Sequence, residues 1–408
     1  MPTASPSASG PRTDITNTTA ALSRGSPVSD HELSTERIAL RHGQRLLVKI
    51  GTRLVTSPEG GLDTGFLNRL ACQIARLGER GIETLVVTSG AVHLGRQVLP
   101  PARGKETLTY RQAAAAIGQP ELMRSYAAAL GDHGLSAAQV LLTMDDMVHR
   151  QRYINVRNEL ELLLKSRVVP VINENDSVSI EGVTFVENDK LASIVATKMK
   201  VDLLIFLSDQ PGLCTGNPSV DPCAQLIPLV CPGEELSATI GDAGGAESRG
   251  GMQAKLQAAR TAAVCGIPVV MADGREEDIL LRACDGETLG TYFVPSRHAV
   301  NGKKPWLATV RQPVGAIKID SGASKALRQS DGASLLPKGI ISATGAFAHG
   351  DLVSVVGARG EIARGLVNYS SEELCRIIGH HSSEIEALLG HCGPEEVIHR
   401  DNLVLTSD

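Results

Sequence analysis

The stretch VVPVINENDSVSIEGVTFVENDKLASIVATKMKVDLLIFLSD, Val168 to Asp209, decides how the chain is built. Its opening, VVPVINEND, is a nearly continuous apolar run that ends in a knot of amides and acids, Asn173-Glu174-Asn175-Asp176. The segment NDKLASIVATKMK has helical spacing and opens on a second knot, Glu187-Asn188-Asp189. DLLIFLSD is again a buried strand, closed by Ser208-Asp209. Strands that are apolar throughout, rather than alternating, are covered on both faces, and a helix between two of them makes them parallel.

The same alternation runs outward from this unit. RLLVKIG reads as a strand, GFLNRLACQIARLGERG as a helix stopping at Gly81, and IETLVVTSGA as a strand ending in a small-residue turn. TYRQAAAAIGQPELMRSYAAAL (helix), AAQVLLT (strand) and MDDMVHRQRYINVRNELELLLKS (helix) precede the quoted stretch, and MQAKLQAARTAAVCG (helix) and IPVVMADG (strand) follow it. The pattern predicts an α/β domain, a three-layer αβα sandwich with a largely parallel sheet. In such sheets ligands sit beyond the carboxyl ends of the strands. Polar or glycine turns stand at four of those ends: Gly51-Thr52, Ser89-Gly90, Asn173 to Asp176, and Ser208-Asp209. Isolated polar turns would explain each alone; together they predict one shared site.

The pattern breaks at NGKKPWLATVRQP, read as a linker over 301–313. Beyond it GAIKID, GDLVSVVG and GEIARGLVNYS read as short strands between glycine turns, with a single helix from about Ser371 to Gly379. The expected organisation is an N-terminal extension over 1–38, an α/β domain over 39–300, the linker, a small β-rich domain over 314–392 and a tail over 393–408. The extension is rich in Ser, Thr, Pro and Ala and lacks the apolar centre of a secretory signal. Disorder is its expected state, with a transit peptide the alternative.

Composition narrows the function. Of 408 residues 42% are hydrophobic, only 3% are aromatic, and the formal net charge is −5, which argues against a whole-molecule nucleic-acid or membrane surface. No apolar run reaches the ~20 residues of a membrane helix. The eight cysteines are scattered, without CxxC or zinc spacing, which fits a reduced, cytoplasmic setting.

Neither GxxxxGK[ST] nor GxGxxG occurs, so phosphate binding must come from other turns and lysines. Lys49, in LLVKIGT, is a charge in an apolar strand that should emerge at the strand end towards an anion; the alternative is an edge lysine reaching solvent. TSGAVHLG places Ser89 and Gly90 where backbone N–H groups can hold an anion, although such turns are common. ESRGGMQAKLQAA sets a glycine pair before an opening helix with Lys255 on its first turn, either a phosphate cradle or a loop with a surface lysine. Ser208 and Asp209 suit nucleotide hydroxyls or a metal, or merely cap a helix. His93, His149, His380 and His381 show no triad partners and read as surface or core-edge residues. Two lysines, glycine turns and a carboxylate cluster fit phosphoryl transfer, which needs positioning and positive charge more than a covalent nucleophile.

The segments VKIGTRLVT, VVTSGAVHLGR, RQAAAAIGQ, AQVLLTMDDMVHRQRYINVRNEL, PVINENDSV, ENDKLAS, LSDQPGLCT and GGMQAKLQAA occur in this order between about Leu46 and Gly274. In order and spacing they resemble the glutamate 5-kinases of the amino-acid kinase family. SLLPKGI, TGAFAHGD, ARGLVNYSSEEL and VIHRDNLVL resemble the PUA domain that many bacterial members carry. The resemblance implies the amino-acid kinase fold, ATP with Mg²⁺, and phosphorylation of the side-chain carboxylate of L-glutamate as the first step of proline biosynthesis. It implies Lys49 and Lys255 on the ATP phosphates, Asp189 orienting both lysines, and Ser89, Asp176 and Asn188, with Asn173 and Glu187, around glutamate. Nucleotide contacts would come from Ser208, Asp209 and the run Arg249, Gly250, Gly251, Met252, Gln253, Ala254 and Lys255. It further implies feedback inhibition by proline, a homo-oligomer, and transfer of the product to glutamate-5-semialdehyde dehydrogenase.

This chain departs from the family pattern at Val186-Glu187, Ser248-Arg249, Arg53 and Cys214. The rival readings are a kinase for another small acid (N-acetylglutamate, aspartate or carbamate) and an RNA-binding protein acting through the PUA domain. From Val314 to Asp408 there are eight Lys and Arg against twelve Asp and Glu, a net of −4, the wrong sign for a phosphate backbone.

Overall fold

The computed structural model describes residues 44–57, 60–100, 104, 106–148, 150–178, 187–218, 221–234, 236, 246–296, 313–328, 333–391 and 393–405. The extension over 1–38, residues 301–312 of the 301–313 linker and the departure at Val186 lie outside these residues.

Among the described residues the larger sheet has eight strands. In chain order they are β1 (Arg45–Ile50), β2 (Glu83–Val87), β3 (Ser136–Leu142), β4 (Val168–Glu174), β5 (Leu203–Ser208), β6 (Leu229–Val230), β7 (Val269–Asp273) and β8 (Thr291–Phe293). Their spatial order is β3-β4-β2-β1-β5-β7-β8-β6. All neighbours are parallel except β7 and β8, which run antiparallel.

Side-chain parity divides this sheet between two cores. Leu46, Val48 and Ile50 of β1 and Ile205 and Leu207 of β5 join a cluster with Phe66, Leu70 and Ile74 of the helix Thr64–Glu79 and Leu122 and Tyr126 of the helix Leu108–Gly131. Leu47, Leu85, Leu204 and Phe206 face the other way, onto Leu160, Leu191, Val195, Ala259 and Ala262. Those residues lie on the helices Arg150–Lys165, Glu187–Met199 and Ala246–Val264. Helices on both faces of a period-2 sheet give the three layers. Position 49 shares the parity of Leu47, so the Lys49 side chain leaves β1 on the face that carries Glu187–Met199 and Ala246–Val264.

The segment read as one helix from Met144 is helical over Met144–Val148 and Arg150–Lys165, the residues described there. One element of this domain differs from the sequence reading. The Gly250-Gly251 pair does not precede a helix: Ala246–Val264 runs through it, which puts Lys255 in the third turn. An interior glycine costs a helix only ~1 kcal/mol, and Ala258, Ala259 and Ala262, packed below, outweigh that.

The C-terminal sheet has five strands: β9 (Gly315–Ile319), β10 (Ile340–Thr344), β11 (Leu352–Gly357), β12 (Gly360–Leu366) and β13 (Leu403–Leu405), in the order β10-β9-β11-β12-β13. It carries more helix than the single one expected, with Ser321–Leu327 and Ile385–Leu389 beside Ser371–Ile377. The residues from 393 are no appendage either. β13 pairs antiparallel with β12, and Val397, Ile398 and Leu403 are buried in this domain's core. The three-residue run Leu403-Val404-Leu405 is too short to show a period, which hid that strand.

Candidate active site

The four polar strand ends belong to β4, β2, β1 and β5, four consecutive strands of the sheet. They open on one cleft of about 430 Å³, which Gly51, Ser89, Asn173, Asp176, Ser208 and Asp209 all line. Gly51 closes the first turn by donating its N–H to the Leu207 carbonyl at 3.2 Å. Gly90 takes φ 115°, a left-handed conformation that a side chain would strain.

At one side of the cleft the charges converge. Lys49 Nζ lies 2.6 Å from Asp189 Oδ1, and both side chains are almost fully buried, at 6% and 2% exposure. The contact is short but poorly aligned, and among the described residues Oδ1 completes no well-directed hydrogen bond. Asp189 stands in the first turn of Glu187–Met199, where the helix dipole favours a carboxylate. Lys255 also lines the cleft, its Nζ 3.5 Å from the Gly251 carbonyl. Burial above all, with Lys49 and Arg53 adding repulsion, lowers the Lys255 pKa, against the pull of Asp189 and Asp209. Asp209 Oδ2 accepts from Arg53 Nη1 at 3.0 Å, and its carbonyl accepts from Arg275 Nη2 at 2.7 Å.

The other side is an amide cluster. Asn188 Nδ2 donates to Ser89 Oγ at 3.2 Å and to Asn173 Oδ1 at 3.1 Å. Asp176, half-buried, lines the cleft beside them. The two knots of Val168–Asp209 therefore meet in one wall.

The sequence-predicted residues divide as follows. Lys49, Ser89, Asn173, Asp176, Asn188, Asp189, Ser208, Asp209, Gly251, Met252 and Lys255 line the cleft. Gln253 and Ala254 do not: the helical repeat that turns Met252 and Lys255 inward leaves Gln253 exposed and Ala254 buried away from the cleft. The side chains of Glu187, Arg249 and Gly250 lie outside the described residues. His93, read as peripheral, instead lines the cleft, its Nε2 buried and without a hydrogen-bond partner among the described residues, whereas His149 lies outside them. Arg96, Arg111 and Gln112 also line the cleft and were missed. RQAAAAIGQ contained two of them, but the helix Leu108–Gly131 has too weak a polar stripe to show which face turns inward. Among the described residues no three or more His, Cys, Asp or Glu side chains group to hold a metal, and no helix is long and apolar enough to cross a membrane.

Residues 44–273 match the amino acid kinase family and residues 315–389 match the PUA domain. The chain thus belongs to the amino acid kinase family and carries a PUA domain. Its similarity is narrower than that. It is 44% identical over 368 residues to the glutamate 5-kinase of Trichlorobacter lovleyi, covering 90% of this chain and 98% of that protein. It is 44% identical over 373 residues to that of Chromohalobacter salexigens (91% and 98%) and 43% over 372 residues to that of Methylococcus capsulatus (91% and 99%). Within the amino acid kinases, this chain belongs to the glutamate 5-kinase family.

Proposed function

We propose that this chain transfers the γ-phosphoryl group of ATP to the side-chain carboxylate of L-glutamate, giving L-glutamyl 5-phosphate, the first step of proline biosynthesis. One observation carries the reading: the four consecutive strand ends line a single cleft with paired lysines on one side and an amide–carboxylate wall on the other.

The lysine side receives the nucleotide phosphates. Lys49 and Lys255 neutralise charge on the moving phosphoryl group, and Asp189, buried in contact with Lys49, holds that cation in place. Ser208, Asp209, Gly251 and Met252 line the nucleotide end. Mg²⁺ accompanies ATP and adds positive charge at the phosphates. Magnesium commonly uses one or two carboxylates together with substrate phosphates, and Asp209, at the nucleotide end of the cleft, is the carboxylate that would hold it.

The amide side receives the amino acid. Asp176 pairs the α-ammonium, while Ser89, Asn173 and Asn188 hold the oxygens. Both reactants are thereby fixed in one cleft, which removes much of the entropy cost of their encounter. Proline carries the same α-carboxylate and a cationic nitrogen, and competes at the Asp176 side as feedback inhibitor. The product is an acyl phosphate prone to hydrolysis, so direct transfer to glutamate-5-semialdehyde dehydrogenase, within a cytoplasmic homo-oligomer, completes the proposal.

A substrate panel tests it. ADP release with L-glutamate, and little with N-acetylglutamate, aspartate or carbamate, is the expected outcome. Preference for N-acetylglutamate would remove the role of Asp176, which requires a free α-ammonium.

A further inference from the structure

An Asn or Gln side chain has a donor end and an acceptor end, so its orientation must be set by its partners. In this cleft the setting comes from a residue that does not line it. Gln119, on the helix Leu108–Gly131, donates from Nε2 to Gln139 Oε1 at 3.0 Å. Its remaining Oε1 accepts from Asn173 Nδ2 at 2.8 Å. Asn173 Oδ1 is then left to accept, and it does so from Asn188 Nδ2 at 3.1 Å and from the Glu174 N–H at 3.0 Å. The Glu174 N–H is shared with Asn188 Oδ1 at 3.1 Å, and Asn188 Nδ2 reaches Ser89 Oγ at 3.2 Å. Every link has one polarity. Reversing Asn173 would set its NH₂ against both the Asn188 NH₂ and the Glu174 N–H. The chain runs from exposed Gln139 through buried Gln119 (8%) and Asn173 (2%) to the cleft wall.

We propose that Gln119 is a positioning residue that fixes the orientation of the Asn173 and Asn188 amides, and thereby sets the affinity of the acceptor side of the cleft. It acts through Asn173 and touches neither substrate. The backbone around it is locked to the same wall: a Cβ on Gly118 would lie 1.9 Å from the Ala91 carbonyl oxygen, so the helix abuts the segment that follows the Ser89-Gly90 turn. Without the Gln119 acceptor, Asn173 Nδ2 is left buried and unpaired. The side chain relieves that cost of ~1–3 kcal/mol by turning away, which breaks its bond to Asn188. A uniform loss of packing would disturb both substrates. Loss of amide orientation disturbs only the acceptor.

This inference rests on the proposed glutamate kinase activity, and the test separates the two. KM for L-glutamate and for ATP, kcat and thermal stability are measured for the full-length wild-type protein, Gln119→Met, Gln119→Glu and Gln139→Met. Gln119→Met keeps the length and removes both polar ends; it is expected to raise the glutamate KM about tenfold, leaving the ATP KM unchanged. Gln119→Glu retains an acceptor for Asn173 and is expected to recover most of that loss. Gln139→Met, at the exposed end of the chain, is expected to give a smaller rise in glutamate KM, and decides the matter if Gln119→Met does not fold. An unchanged glutamate KM in folded Gln119→Met, an equal rise in the ATP KM, or no recovery by Gln119→Glu overturns the positioning role alone. No glutamate turnover by the wild-type protein overturns the functional reading and this inference with it.

Discussion

Lys49 Nζ lies 2.6 Å from Asp189 Oδ1, a strand lysine and a helix carboxylate paired almost out of reach of water. A buried pair of this kind is strongly destabilised when only one member is removed, by ~3–5 kcal/mol, because the other charge stays behind. Asp189→Asn strands Lys49 beside Lys255, so denaturant unfolding should show a loss of about 3 kcal/mol or more, together with near-complete loss of turnover. The double variant Lys49→Met/Asp189→Asn should regain most of the stability and none of the turnover. Recovery of both would show that the pair is structural and leave phosphoryl transfer to other groups.

Asp176 is the carboxylate assigned to the α-ammonium. A hydrogen-bonded charge pair contributes ~1.5–3 kcal/mol, so Asp176→Asn should raise the glutamate KM by roughly ten- to a hundredfold, with the ATP KM unchanged. Steady-state kinetics with each substrate varied in turn reads this directly. A rise in the ATP KM instead would place Asp176 on the nucleotide side.

Burial, ahead of every other influence, holds the Lys255 ammonium below the ordinary lysine value of 10.5. Between that lowered value and 10.5 the unfolded chain binds more protons at this site than the folded one. By linkage the destabilisation caused by charging Lys255 is full below the lowered pKa and is relieved as pH rises through it, so this group's contribution to stability improves with pH in that window. Activity has the opposite sign, since only the cation binds phosphate. kcat/KM for ATP should therefore decline on the alkaline side at a pH below 10.5, and Lys255→Arg, which stays charged, should remove that decline even if its rate is lower. An alkaline limb that persists in Lys255→Arg belongs to another group.

The helices Ala91–Arg96 and Leu108–Gly131 cross backbone to backbone. Added Cβ atoms at Gly95 and Gly118 would sit 1.8 Å from Ala114 O and 1.9 Å from Ala91 O. No rotamer relieves a clash with backbone, so Gly118→Ala must push the helices apart at a cost of ~2–3 kcal/mol. The same movement shifts Gln119 and the Ser89 turn. A melting temperature lowered by several degrees with a raised glutamate KM is expected in Gly118→Ala; a variant unchanged in both would mean that the crossing is looser than described.

Much of this was legible in the sequence, for identifiable reasons. β1, β2, β4 and β5 are largely apolar because both faces are covered, and their polar ends stand out against that background. Lys49 and the Asn173 to Asp176 knot stand out in apolar runs, and the family resemblance pointed to Asn188 and Asp189; the structure brings Lys49, Asn173, Asp176, Asn188 and Asp189 to one cleft. Gln119 and Gln139 were not legible, because their meaning lies in partners 54 and 20 residues away, and an amide in a helix has many uses. The start of Ala246–Val264 was misplaced because a glycine pair ordinarily interrupts a helix, and only the packing of its alanine face on the sheet reveals that this one continues. β13 was missed because three residues cannot show a period, and its pairing with β12 is a long-range contact.

The measurement that bears most directly on the account is trapping of the product with hydroxylamine in the presence of ATP, Mg²⁺ and L-glutamate, beside Lys255→Ala. An acyl phosphate formed in the cleft yields glutamyl hydroxamate in step with ADP release, and the account predicts this for the wild-type protein and its loss in Lys255→Ala. ADP release without hydroxamate, or hydroxamate formation undiminished in Lys255→Ala, would contradict the transfer of phosphate from the lysine side of the cleft to a carboxylate held on the other.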